Sequence, residues 1–309
     1  MLVKNDNEPD PLIGQRFGPG KRLRVQRRLG KGGYGVVYLG HDEPTGRAVA
    51  IKFLLETGVD ANTVERFERE GLKYGKMLQH PNIVRVYWYG NERGRAFIVS
   101  EFIDGRTLAD IVDSDGALQV DEALRITKEI AIGLHAAHQV NVVHRDLKPG
   151  NVMIRASDRA VKILDFGVAK DLMSSVGLRT VGMIGTPGYC APEQTGGHAI
   201  DHRADIFSLG AILYELLTGT LAFNGNGTVE VENAALHLEP VPPTELNVNV
   251  TKPVATLIAK MLQKSRRRRF ADMAEVARSI DRIREGAPQK IAEEDGHAVR
   301  RWLRKIFER

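Results

Sequence analysis

The chain has 309 residues, 42% of them hydrophobic and 27% charged, with 44 Lys and Arg against 39 Asp and Glu. This is an ordinary balance for a soluble globular protein, long enough for two domains or one two-lobed domain. The single cysteine, Cys190, excludes an intrachain disulfide and a cysteine-built zinc site. No run reaches the ~18 apolar residues of a membrane span. The net charge of +5 fits a polyanionic ligand, a nucleic acid, an anionic membrane surface or a plain solvated face.

Residues 1–20 are polar with Pro and Gly and read as a flexible N-terminal extension. The opening MLVKNDNEPDP has no apolar h-region, so no secretory signal is expected. A reducing, cytoplasmic setting is expected, with membrane association if the chain is part of a longer one. From residue 21 the pattern is strand-like: LRVQRRLG, GVVYLG and AVAIKFLL are alternating or β-branched runs, and DEPTG at 42–46 reads as a hairpin connection. Residues 62–78 have helical periodicity, with Val64, Phe67, Tyr74, Met77 and Leu78 on one face and Asn62 or Thr63 as N-cap. Residues 80–90 and 95–103 read as two more strands.

The class changes after Asp104-Gly105. Helical periodicity covers 107–113, 121–140, 202–218, 228–237, 251–263 and 272–285, and two short strands at 151–155 and 160–164 flank the turn ASDR. The apolar stretch 210–223 carries Glu215 and reads as a buried core helix. A strand-rich half therefore precedes a helical half, and the cleft between two lobes is a usual place for a ligand.

The N-terminal strands carry LGKGGYGVVYLG, where Gly30, Gly32 and Gly35 would let backbone approach phosphates closely. A strand follows these glycines, which excludes the dinucleotide fingerprint, and no Gly-Lys-Ser/Thr follows, which excludes a Walker loop. Lys52 sits in an apolar strand, and Glu70 sits on a helix beside Phe67 and Tyr74. Lys52 either snorkels outward or meets Glu70, because two opposite charges on inward faces are costly unless they pair. Farther on, VVHRDLKPGNVMI at 142–154 wedges an acid, a base and an amide between two apolar runs, on a loop broken by Pro149 and Gly150. Catalytic residues tend to sit on loops held by a rigid scaffold.

Taken in order, GKGGYGVV, VAIK, HRDLKPGN (144–151), DFG (165–167) and APE (191–193) resemble the motifs of the protein kinase family, over about residues 20–284. RFERE, HPNIVRVY, PGNVMI and APEQ are similar in style to bacterial eukaryotic-like Ser/Thr kinases. The resemblance implies an α+β, two-lobed protein kinase fold. An N-lobe at 21–103 would hold an antiparallel sheet plus one helix, a mainly helical C-lobe would span 104–284, and a basic amphipathic tail would occupy 285–309. The implied function is a Ser/Thr protein kinase that uses ATP and Mg²⁺, with Mn²⁺ as a substitute.

On that resemblance, Asp146 would accept the substrate hydroxyl proton and Lys148 would steady the γ-phosphate, with Lys52 and Glu70 completing the catalytic set. Asn151 and Asp165 would hold the metal, whose hardness suits oxygen donors. Gly30, Gly32, Gly35, Val37, Ala50, Lys52 and Met153 would cover the nucleotide. The Glu101 carbonyl and Ile103 amide would meet adenine, and Ser100 would be a small gatekeeper that leaves a back pocket open. His144 and Phe166 are expected to pack, Glu193 to pair with Arg269, and Asp205 to brace the catalytic loop. Lys148 and Thr186, the latter in the substrate-docking segment, point to the Ser/Thr class. Thr180, Ser174 and Ser175 are expected autophosphorylation sites, Thr180 first, with Arg145 answering the phosphate.

Ten positions separate Glu70 from His80, one more than the family's usual spacing, with Gly71 and Gly75 nearby. In RRRRF (266–270), the three arginines besides Arg269 read as a solvated patch. In the tail, Val299, Trp302, Leu303, Ile306 and Phe307 form one stripe flanked by Arg300, Arg301, Arg304 and Lys305. That helix would pack on the C-lobe, contact a membrane surface or dock on a partner. Protein substrates and a homodimer for trans-autophosphorylation are the expected partners. A non-catalytic scaffold is disfavoured by the complete residue set. A small-molecule phosphotransferase is disfavoured by the APE segment, and a nucleic-acid binder by the lack of any matching motif.

Overall fold

The computed structural model describes residues 10–32, 35–57, 71, 75–92, 95–166, 186–195 and 199–286. The chain divides into two compact units. The first comprises residues 1–79, 84–103 and 169–179, and the second residues 80–83, 104–168 and 180–309.

The first unit is built on a six-stranded antiparallel sheet of β1 (Arg16–Phe17), β2 (Leu23–Gly32), β3 (Gly35–Asp42), β4 (Arg47–Thr57), β5 (Val86–Glu92) and β6 (Arg95–Glu101). The strand order is β1-β2-β3-β4-β6-β5. The expected turn at 42–46 closes β3 onto β4. Gly46 takes a left-handed φ of 69° and donates its N–H to the Asp42 carbonyl at 2.8 Å. Strand register sorts the side chains by face. Val37 lies opposite Lys52 and Lys52 opposite Ile98, while Leu39, Ala50 and Ser100 align beside them. Tyr38, Ile51 and Val99 align on the other face, as do Val36, Phe53 and Phe97.

That second face is the core of the unit, and residues expected to be a loose extension cover it. Phe17 of β1 meets Phe53 edge-on at 5.0 Å, Leu12 packs on the same cluster, and the Tyr38 hydroxyl donates to Asp10 at 2.8 Å. Arg16 and Phe17 are therefore a strand of the sheet, and Asp10 and Leu12 pack or bond onto it, with Phe17 only 4% exposed. The helix expected at 62–78 is represented by Gly71 and 75–77, which are helical; the rest lies outside the described residues. Met77, expected on its apolar face, is exposed, whereas Leu78 is buried.

The second unit contains a small sheet, β7 (Gly105–Thr107), β8 (Val152–Arg155) and β9 (Val161–Ile163), among helices. The principal helices are α1 (Leu108–Asp115), α2 (Val120–Gln139), α3 (Pro192–Thr195), α4 (Arg203–Thr218), α5 (Thr228–His237), α6 (Pro243–Leu246), α7 (Lys252–Met261) and α8 (Met273–Arg284). A capping box between Thr107 and Asp110 starts α1. The stretch read as a core helix ends at Thr218, where Gly219 turns left-handed (φ 69°). Nearly every residue of α4 is buried, as expected of a helix that is apolar all round.

Residues 80–83, expected within a strand, instead belong to this second unit. Ile83 bridges Ile163 in parallel, and the Ile163 N–H donates to the Asn82 carbonyl at 2.8 Å. The Asn82 amide donates to Glu129 and to the Val161 carbonyl, both at 3.1 Å. Strand β5 begins only at Val86.

Candidate active site

The loop 144–151 is fixed from beneath by Asp205 of α4. Its carboxylate is fully buried and accepts three hydrogen bonds, from the His144 and Arg145 amides at 2.9 and 3.0 Å and from His138 Nε2 at 2.8 Å. Burial alone would raise the Asp205 pKa. The His138 bond and the backbone donor outweigh it and bring the group below its ordinary value. Arg145 takes a left-handed φ of 63°, a cost that surrounding bonds must hold in place. The His144 ring accepts from the Asp146 N–H on Nδ1 at 3.3 Å and reaches the Leu164 carbonyl with Nε2 at 2.9 Å. Only the Nε2–H tautomer makes both bonds. Phe166 packs on that ring with centroids 4.8 Å apart, so both residues are packing residues, as expected.

Above this floor, Asp146, Lys148 and Thr186 converge. Lys148 Nζ donates to Thr186 Oγ1 at 2.9 Å, and the Thr186 hydroxyl donates to Asp146 Oδ1 at 3.0 Å. The ammonium lies 3.8 Å from the other Asp146 oxygen. Asn151 ends a 3₁₀ turn (Pro149–Asn151), donates its side-chain amide to the Asp146 carbonyl at 2.8 Å, and accepts from the Leu164 N–H at 2.8 Å. The next residue, Asp165, is an exposed carboxylate with φ 48°.

A divalent metal fits this pair. Besides the N–H it gives to the Asp146 carbonyl, the Asn151 side chain carries an amide oxygen, and Asp165 adds a carboxylate. Both are the hard oxygen ligands such a cation requires. Among the described residues, no three His, Cys, Asp or Glu side chains converge as a separate metal cluster.

The segment after Thr186 is tied to the same loop. Tyr189 and Cys190 return their amides to the Thr186 carbonyl. The Tyr189 hydroxyl donates to Glu215 at 2.6 Å, and burial raises both groups above their ordinary values. Glu193 forms a two-pronged ion pair with Arg269 at 2.6 and 2.7 Å, the pairing expected from sequence. Gln194 donates to the Arg145 carbonyl at 2.8 Å.

In the first unit, Val37, Ala50, Lys52 and Ser100 share one sheet face. Gly30 and Gly32 lie exposed on β2 with open space where a Cβ would be, but Gly35 is buried, and a Cβ there would strike the Phe53 carbonyl. Gly35 is thus demanded by strand packing alone. Glu101 donates its N–H to the Arg85 carbonyl at 2.8 Å at the end of β6, and Ile103 is buried. Met153 lies half-buried in β8 of the second unit. Glu70, Thr180, Ser174 and Ser175, with the tail at 287–309, lie outside the described residues. Arg266 departs from the expected solvated patch: it pairs with Asp201 at 3.2 Å and reaches the Ala199 carbonyl.

The protein kinase domain profile matches residues 23–279. The chain belongs to the protein kinase family. It is 36% identical over 266 residues to the serine/threonine-protein kinase PknB of Mycobacterium leprae, covering 84% of this chain and 42% of that protein. It is also 36% identical over 291 residues to a probable serine/threonine-protein kinase PknB of Lactococcus lactis, covering 92% of this chain and 46% of that protein. The chain therefore spans less than half the length of these relatives. Among solved structures, the PknI kinase domain of Mycobacterium tuberculosis matches with a TM-score of 0.66 and 25% identity, covering 84% of this chain and 95% of that domain. The α+β kinase fold read from the motifs is the fold found, and kinase-family membership carries ATP and divalent-metal use with it.

Several residues that build this kinase site escape the motifs. His138 lies on α2 with no periodicity to mark it. Gln194 is marked only by the family style of APEQ.

Proposed function

We propose that the chain transfers the γ-phosphate of ATP to Ser and Thr hydroxyls of proteins, with Asp146 as the base. The observation that carries this reading is the Asp146–Thr186–Lys148 triangle, a carboxylate already accepting a hydroxyl hydrogen bond with a cation beside it. In the reaction, the acceptor oxygen forms a bond to the γ-phosphorus, the bond to the β–γ bridging oxygen breaks, ADP leaves, and the hydroxyl proton passes to Asp146. Lys148 sets positive charge where the transferring group becomes more anionic. Asn151 and Asp165 would hold Mg²⁺, or Mn²⁺ in its place, which when bound neutralises phosphate charge. Lys52, paired with Glu70, would orient the phosphates beneath Gly30, Gly32 and Gly35. Val37, Ala50 and Met153 would sandwich the base, which would bond to Glu101 and Ile103.

The first substrate we propose is a second copy of the chain, modified at Thr180 and then at Ser174 or Ser175. Incubation with labelled ATP and Mg²⁺ beside an Asp146→Asn copy, followed by mass spectrometry, tests both points. Transfer is expected to drop about a hundredfold or more in the variant. Equal labelling of the two proteins would rule out Asp146 as the base, and labelling confined to sites elsewhere would rule out loop autophosphorylation.

A further inference from the structure

The peptide unit that joins Arg145 to Asp146 is held at both of its polar atoms. Its N–H, that of Asp146, donates to His144 Nδ1, and its carbonyl, that of Arg145, accepts from Gln194 Nε2 at 2.8 Å. A peptide is planar, so gripping both ends fixes the plane's orientation and with it the Asp146 N–Cα bond, leaving rotation about that bond alone to aim the side chain. The plane needs that grip, because Arg145 is held at φ 63°, outside the range an L-residue prefers.

Gln194 is also committed at its other end. Its Oε1 accepts from the Ala191 N–H at 3.0 Å, and the residue is only 5% exposed. Ala191 opens the short α3 segment and directly follows the turn that carries Thr186. The stretch 186–194 is therefore pinned to the catalytic loop at each end: Thr186 to the Asp146 carboxylate, and Gln194 to the main chain just ahead of it. An apolar side chain at 194 would take away the bond to the partly buried Arg145 carbonyl and the bond from the buried Ala191 amide.

We infer that Gln194 is a positioning residue for Asp146, coupling the seating of the substrate-docking segment to the aim of the catalytic carboxylate. The inference rests on the kinase reading above. It predicts a selective loss: the transfer step suffers, while nucleotide binding, which uses other residues, does not.

The test uses ATP–Mg²⁺ with casein as acceptor, comparing wild type with Gln194→Glu and Gln194→Met. Gln194→Glu keeps the side-chain volume and the acceptor for Ala191 but replaces the donor to Arg145 with a second oxygen. Gln194→Met removes both bonds. Gln194→Glu is expected to lower kcat about tenfold, the effect of one misdirected, partly buried hydrogen bond. The KM for ATP should stay within about twofold, and the melting temperature should fall by only a few degrees, leaving the protein folded in the assay. Gln194→Met should lose at least as much in kcat; if it fails to fold, Gln194→Glu carries the test alone. Wild-type kcat in a folded Gln194→Glu protein would overturn the inference. So would a rise in KM for ATP that matches the fall in kcat, since that would mark general loosening of the site. No transfer by wild type under these conditions would instead overturn the kinase reading, and this inference with it.

Discussion

Gly71 shows how little room one residue can have. A Cβ at that position would lie 2.5 and 2.7 Å from the Tyr89 Cδ1 and Cδ2 atoms, and Tyr89 is itself 7% exposed. The ring carbons nearest the backbone cannot swing aside. Gly71→Ala is therefore expected to destabilise by about 1–3 kcal/mol, the usual cost of overpacking. Tyr89→Ala, which removes those ring atoms, should be less costly in the Gly71→Ala background than in wild type, a coupling that a double-mutant cycle of denaturant melts would read. Lys264 is a different case. Its amine sits 4.0 Å above the Phe223 ring and donates to the Ala235 carbonyl at 2.6 Å, yet burial brings its pKa down to about 7. Below pH 7 the ammonium is charged in both folded and unfolded chains, and its desolvation counts fully against the fold. Between pH 7 and the ordinary lysine value, the unfolded chain holds a proton the folded one has shed, so stability rises with pH. Melting curves of wild type and Lys264→Met across pH 6 to 10 should show wild type gaining on the variant as pH rises. Parallel curves would mean that the amine stays protonated in the fold.

At the scale of elements, the unexpected one is β1. It has two residues, Arg16 and Phe17, too few for any alternation to register, and it follows a Pro- and Gly-containing segment that reads as loose chain. Yet its pairing with β2 carries Phe17 onto Phe53 and completes an aromatic cluster with Tyr38 and Phe97. Phe17→Ala is expected to cost about 3–5 kcal/mol, the range for a buried aromatic truncated to Ala, and removal of residues 1–17 should lower the melting temperature at least as much. A melt unchanged by either would mean the cluster closes without the strap. The neighbouring strands are legible because β2, β3 and β4 are long enough to alternate. That alternation is also what sorts Val37, Ala50 and Lys52 by face along β3 and β4.

Over the whole molecule, legibility follows chemistry. Asp146, Lys148, Asn151 and Asp165 are readable because phosphoryl transfer demands those side-chain types in that order, and a polar cluster inside apolar runs has few other uses. The supports beneath them are not. Asp205 gathers donors from His138 on α2 and from the loop amides, partners brought together only by tertiary packing. Gln194 acts through a main-chain carbonyl that carries no sequence signature at all. Residues 80–83 mislead for a further reason: HPNIV has the composition of a strand, but Asn82 gives its backbone N–H to His80 Nδ1 and its carbonyl to the Ile163 N–H, so neither is available to extend β5.

That excursion of four residues has a genetic consequence. The chain passes from the first compact unit to the second at Gln79, returns after Ile83, and passes across again at Ile103. Covalent order and compact units are therefore out of step, and no single breakpoint divides the gene into two self-sufficient pieces. A fragment starting at Asp104 would present the Ile163 amide and the Glu129 carboxylate without the Asn82 groups that answer them. Recombination, domain insertion or splitting of this gene at the obvious junction would separate residues 80–83 from the unit they belong to. Any exchange of the second unit has to carry residues 80–83 with it for those bonds to form.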